Sequence, residues 1–256
     1  MGIYMAYLFG QNISYSHILF GSESVFANSN RLFIPSFFSL PFTSLQYDLI
    51  LGLLSTLGIL LALGIYSRVM ALVLWFSFAS LINYNPFLTW PSEGNVGWLL
   101  LFISLIAQPS KDYINKKNIS EEIEIFLPLI LGAGFILAGG YTFSGLNKLN
   151  NSLSWQTGMG LEHALTQYFV KDNLLTALFM SVPLIVRKIV SYFILWGEIL
   201  SLPMWLISER FKFLSWSILT LMHIILFLTN NLWIVTIPMF AHHLLVFNPL
   251  WLKRKT

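Results

Sequence analysis

The chain has 256 residues, of which 56% are hydrophobic and 10% charged, with a net charge of +3 and no cysteine. A soluble domain carries roughly 25% charged residues, and mean hydropathy here is +0.72, so the composition is that of an integral membrane protein whose first partner is the lipid bilayer. The sparse basic residues exclude the dense cationic face that nucleic-acid binding needs, and the missing thiols exclude disulfides, iron–sulfur ligation and thiolate zinc sites.

A helix needs about 20 apolar residues to cross a bilayer. The opening stretch Met1–Phe9 is shorter than that and has no basic residue ahead of it, so it does not read as a cleavable leader. Read along the chain, apolar windows predict crossings over 2–20, 47–66, 69–84, 95–108, 125–148, 190–208, 212–229 and 232–250. The segment 158–186 differs, since Glu162, His163, Gln167 and Lys171 alternate with apolar residues ahead of Pro183. It predicts an amphipathic interfacial helix followed by a short re-entrant or surface piece. The expected fold is therefore all-α, a polytopic transmembrane helical bundle of about eight spans in a single domain over 1–256.

Lysine and arginine near span ends set the orientation. Arg68, Lys111, Lys116, Lys117, Arg210, Lys212, Lys253, Arg254 and Lys255 fall on one side, and Arg31, Lys171, Arg187 and Lys188 on the other. The richer side is read as cytoplasmic. That predicts a multi-pass protein of the cell membrane with both termini cytoplasmic and Lys148 facing outward. The outer loops are then 21–46, 85–94, 149–189 and 229–231.

Lys148 stands out because it closes the apolar run Tyr141-Thr142-Phe143-Ser144-Gly145-Leu146-Asn147-Lys148-Leu149. An ammonium at a bilayer edge must snorkel, pair or do chemistry. Burial favours its neutral form, which suits a general base; the alternative is an anchor for the fifth span. Glu198 lies near mid-span, where an acid costs about 2.5–3.5 kcal/mol on insertion scales. It reads either as counter-ion to a cation such as Lys148 or as a hydrogen bond between helices. His223 is placed in the outer half of the seventh span, about 10 Å below the turn at 229–231, with His242 and His243 about 18 Å below it on the next span. Direct pairing of His223 with either is not expected, and no metal site is expected from this spacing. His242 and His243 are expected to bond between helices, and Trp155 and Trp90 fit the interfacial aromatic belt.

The run Gly140–Leu149, followed by Trp155 and Gly158, resembles the horizontally transferred transmembrane (HTTM) domain, the membrane domain of vitamin K-dependent gamma-carboxylases. Leu19-Phe20-Gly21, Leu63–Arg68, Asn83-Tyr84-Asn85-Pro86, Trp196-Gly197-Glu198 with Pro203, and His223 follow in the same order. In size the chain is similar to short bacterial members of the sporulation-delaying-protein B type, which are linked to maturation of secreted peptide toxins. The resemblance implies that Lys148 is a catalytic base and that a reduced quinone is co-substrate. It implies an outward-facing cavity lined by Lys148, Glu198, His223 and residues near Asn95, with Asn95 and Trp155 on the cofactor side. Two departures stand out. Asn147 replaces a second lysine, and no histidine lies at Glu93–Asn95. The expected activity is thus base-dependent modification of a peptide or lipid-soluble substrate. The alternative is a non-catalytic maturation, export or immunity partner of a secreted peptide.

Overall fold

The computed structural model describes residues 1–20, 36–84, 93–105, 127–248 and 251. They are helical, with no extended strand among them, and divide into two compact units, Met1–Phe126 and Leu127–Thr256. Arg31, Trp90, Lys111, Lys116, Lys117 and the C-terminal basic cluster lie outside the described residues.

In the first unit, α1 (Gly2–Gln11) packs on α2 (Ser44–Ala62), which leads to α3 (Ser67–Tyr84) and α4 (Glu93–Leu105). The α1–α2 contact is close because small residues face one another. A Cβ on Gly58 would stand 2.9 Å from the Ala6 Cα and 2.9 Å from the Gly2 carbonyl oxygen. In lipid, where apolar surface gains nothing by leaving the solvent, such close backbone packing is what holds helices together. Thr43 caps α2 in a capping box with Gln46. The turn that ends α2 uses left-handed backbone at Gly64 (φ 73°) and Tyr66 (φ 45°). At the opposite ends of α2 and α3, Ser36 bonds the Ser80 carbonyl at 2.7 Å, and Tyr47 donates its hydroxyl to the Phe38 and Leu40 carbonyls. Phe20 stacks on Phe38 and Tyr47.

The second unit begins with α5 (Leu127–Asn151). The short helices α6 (Gly160–Leu165) and α7 (Leu174–Ser181) precede α8 (Leu184–Ile199), α9 (Ser201–Ile207), α10 (Glu209–Thr229) and α11 (Trp233–Val246). Leu161 N–H donates to Ser191 Oγ at 2.9 Å and Arg187 pairs with Glu162 at 3.2 Å, so α6 is tied to α8. The segment 169–171 is pinned to the end of α10, with Lys171 N–H on the Thr229 carbonyl and Asn231 N–H on the Phe169 carbonyl, both at 2.8 Å.

Among the described residues, four helices are long and apolar enough to cross a membrane: Ser44–Ala62, Ser67–Tyr84, Pro128–Asn151 and Glu209–Thr229. Leu174–Ser181 with Leu184–Ile199, bent by 108°, makes a fifth if the pair is one crossing. Eight crossings were expected, and the differences have local causes. The window 2–20 is broken: α1 stops after ten residues, about 15 Å of rise, where the Asn12 side chain bonds back to the Leu8 carbonyl at 2.8 Å. The window 190–208 instead starts at Leu184, just after Pro183, and breaks at Leu200. Helix α11 is apolar but only 14 residues long. The described part of the fourth window, Glu93–Leu105, has 13. The segment 158–186 forms α6 and α7 and turns into α8 at Val182-Pro183.

Candidate functional site

The site begins with a break in a helix. Proline has no N–H, so Pro203 withholds the hydrogen bond that the Ile199 carbonyl would accept from the residue four places on. Thr142 on α5 supplies it: its hydroxyl donates to Ile199 O at 3.1 Å, with Glu198 O at 3.3 Å, and accepts from Leu202 N–H at 3.0 Å. One hydroxyl thereby satisfies backbone groups at the α8–α9 junction and ties that junction to α5.

One turn further along α5, Gly145 lets the helices touch. A Cβ there would lie 2.8 Å from the Ile199 amide nitrogen and 3.0 Å from Glu198 Cβ. Any larger residue would push α8 away. The next residue on the same face is Lys148, and the close approach brings it onto Glu198. The Lys148 Nζ donates to both carboxylate oxygens, at 2.5 and 2.7 Å. Glu198 is 2% exposed while the lysine side chain is 27% exposed. The acid is therefore buried beneath a cation that still reaches the surface of the unit.

Trp155 completes this group. The chain leaves α5, makes a short helical turn at Leu153–Gln156, and reverses through Gly158 at φ 75°. The turn at Leu153–Gln156 sets the indole under the ammonium, whose Nζ lies 4.8 Å from the ring centroid. Gly160 packs against the six-membered ring of Trp155. Tyr192 fixes the turn from α8 by donating to the Gln156 carbonyl at 2.9 Å.

His223 stands in a second group, two turns back along α5. Tyr141 Oη lies 2.6 Å from His223 Nε2 and 2.8 Å from His243 Nε2. His243 Nδ1 lies 3.1 Å from Thr220 Oγ1, and the His243 carbonyl accepts from Trp216 Nε1 at 2.9 Å. The two imidazoles do not bond directly, as expected, but their levels match far better than residue counting allowed, with ring centroids 5.8 Å apart. Counting from the turn supposes straight, parallel axes, and α11 carries Pro238 within it. The neighbouring His242 bonds the Ala133 carbonyl at 2.9 Å, so both residues of the His242–His243 pair make interhelical bonds.

Of the other residues singled out by the sequence, Glu162 and His163 lie in the second unit. His163 sits near Gln167 on the α6 side, and Glu162 pairs with Arg187. Asn95 is on α4 in the first unit, half-buried. That unit also holds an apolar pocket of about 200 Å³ lined by Trp75, Phe78, Gly97 and Trp98 among others, all from α3 and α4. Among the described residues, no cluster of three His, Asp or Glu side chains is placed to hold a metal ion.

Residue type alone does not mark Thr142, Gly145, Tyr141 or His243 as functional. A signal existed: Tyr141, Gly145 and Lys148 follow the i, i+4, i+7 spacing of one helix face. No family model matches the chain, and no curated protein or solved structure does. The residues and their geometry alone bear on function.

Proposed function

We propose that the chain is a multi-pass protein of the cell membrane, with both termini cytoplasmic. In this reading Lys148 is a base acting on a peptide or lipid-soluble substrate that arrives from the outer side. The observation that carries it is the unequal burial of the pair, a carboxylate at 2% exposure holding an ammonium at 27%. Passing a proton from Nζ to a Glu198 oxygen removes both charges at once, so a medium of low dielectric does not oppose it as it opposes separating them. The free amine would then accept a proton from a substrate at the exposed end. The departing anion would find the new ammonium beside it, and Trp155 would hold the cation in place.

The HTTM resemblance adds a reduced quinone as co-substrate of this chemistry. Trp155 does not fit the role of its stacking partner, because the indole is engaged by Lys148 and packed against Gly160. No step is therefore assigned to a quinone. The pair also supports a second reading, because a bidentate buried ion pair is a common structural tie. In that reading the protein is a non-catalytic maturation, export or immunity partner that binds a secreted peptide.

Lys148→Arg separates the two, since arginine keeps the charge but is no usable base. Secreted peptides from a host expressing the native chain or the variant would be compared by mass. A mass change made by the native chain and lost in Lys148→Arg supports the base. Unchanged peptide masses, together with protection or export preserved in the variant, reject it in favour of binding.

A further inference from the structure

Tyr141, His223 and His243 come from three helices, α5, α10 and α11, and are 6%, 5% and 1% exposed. Their polar atoms make one line, His223 Nε2, Tyr141 Oη, His243 Nε2, with His243 Nδ1 continuing to Thr220 Oγ1. The other end, His223 Nδ1, is buried and has no hydrogen-bond partner among the described residues. A buried imidazole nitrogen left open keeps its full desolvation penalty. A purely structural tie would not need that end open. Tyr141 and Lys148 are seven residues apart on one face of α5, about 10 Å along the axis. Lys148 in turn holds Glu198 through both carboxylate oxygens.

We propose that His223, Tyr141 and His243 form a proton relay whose open end is His223 Nδ1 and which serves the Lys148–Glu198 pair. Its use rests on the proton chemistry proposed for Lys148; its existence does not. In the resting chain His223 Nε2–H donates to Tyr141 Oη, Tyr141 O–H donates to His243 Nε2, and His243 Nδ1–H donates to Thr220 Oγ1. A proton arriving at His223 Nδ1 drives the Nε2 proton onto the Tyr141 oxygen while the tyrosine's own proton moves to His243 Nε2. The phenol stays neutral. One proton and one positive charge have passed from His223 to His243, with no electron transferred and no bond to carbon changed. The reverse sequence returns a proton to the open end. The charged and titratable groups around the line are Lys148 from α5, Glu198 from α8 and His242 from α11.

The test is nitrogen NMR of the full chain labelled with ¹⁵N-histidine in lipid nanodiscs, which reads the relay without any turnover. In the native chain His223 and His243 are expected to change protonation together, at one midpoint, as pH falls. Tyr141→Phe removes the bridging oxygen and is expected to split this into two separate midpoints. His242, bonded to the Ala133 carbonyl, reports intact packing in the variant. Lys148→Met is expected to shift the His223 resonances and leave the shared midpoint single. Independent titration of the two rings in the native chain overturns the relay, as does a shared midpoint that survives Tyr141→Phe. A His223 signal indifferent to Lys148→Met overturns the link to the pair. If peptide modification is absent while the shared midpoint and the Lys148→Met shift are present, the base reading fails and the relay stands.

Discussion

Thr142 donates its hydroxyl hydrogen to the Ile199 carbonyl at 3.1 Å, the carbonyl that Pro203 leaves without an amide partner. This bond fixes where α8 ends against α5, and Glu198 lies one residue before it. Thr142→Val keeps the shape and removes the donor. It is expected to cost about 1–3 kcal/mol, the range for an unsatisfied buried acceptor. Adding Pro203→Ala should recover part of that loss, because the helix regains its own N–H at 203. Reversible unfolding in mixed micelles of the two single variants and the double variant would show it; purely additive losses would contradict the account.

Gly145 is expected to tolerate no side chain. Alanine gains about 1 kcal/mol of helix propensity, but its methyl would sit 2.8 Å from the Ile199 amide nitrogen. Overpacking of that kind costs about 1–3 kcal/mol, and backbone cannot swing aside as a side chain can. Gly145→Ala should therefore lower stability and loosen the Lys148–Glu198 contact. Pulse acylation with acetic anhydride, read by mass spectrometry, should find Lys148 more reactive in the variant than in the native chain.

The Lys148–Glu198 pair is expected to be worth more as a pair than as two residues. Lys148→Met leaves a carboxylate at 2% exposure without its cation. Losing one partner of a buried pair costs about 3–5 kcal/mol, whereas replacing both by apolar groups is often neutral. Because the lysine is part-exposed, the lower end of that range applies. Lys148→Met with Glu198→Leu should recover most of the loss, and denaturant unfolding of the three variants checks the cycle. A double variant as unstable as the single one would mean that Glu198 packs rather than pairs.

Helix α1 depends on Gly58 for its place against α2. Gly58→Leu should drive α1 off α2, because the space beyond the Gly58 Cα is filled by Ala6 and Gly2 backbone. The chain has no cysteine, so Met5→Cys introduces a unique thiol at a fully buried position. Maleimide labelling of that thiol should be slow in the otherwise native chain and fast when Gly58→Leu is added. Equal rates would show that α1 does not rely on this contact.

Several features of this chain were determined by sequence alone. The helical class of the described residues, with several helices apolar and long enough to cross a membrane, follows from composition, because a bilayer admits few backbone solutions and apolar windows of sufficient length leave little choice. Lys148 and Glu198 were legible as a cation and an acid for the same reason: charges are so few here that each must have a partner or a task. The seventh window, 212–229, matched Glu209–Thr229 closely because no proline or polar cluster interrupts it.

Tertiary structure decided the rest. Hydropathy averages over a window and is blind to a single break, so it ran through Asn12 and Leu200, where a local bond ends or bends the helix. The join of Lys148 to Glu198 depends on two residues of no charge, Gly145 and Thr142, whose importance exists only once α8 lies against them. The meeting of His223 with Tyr141 and His243 depends on where three helix axes pass one another. Residue counting along straight axes cannot supply that, because side-chain contacts are set by crossings and not by distance from a turn.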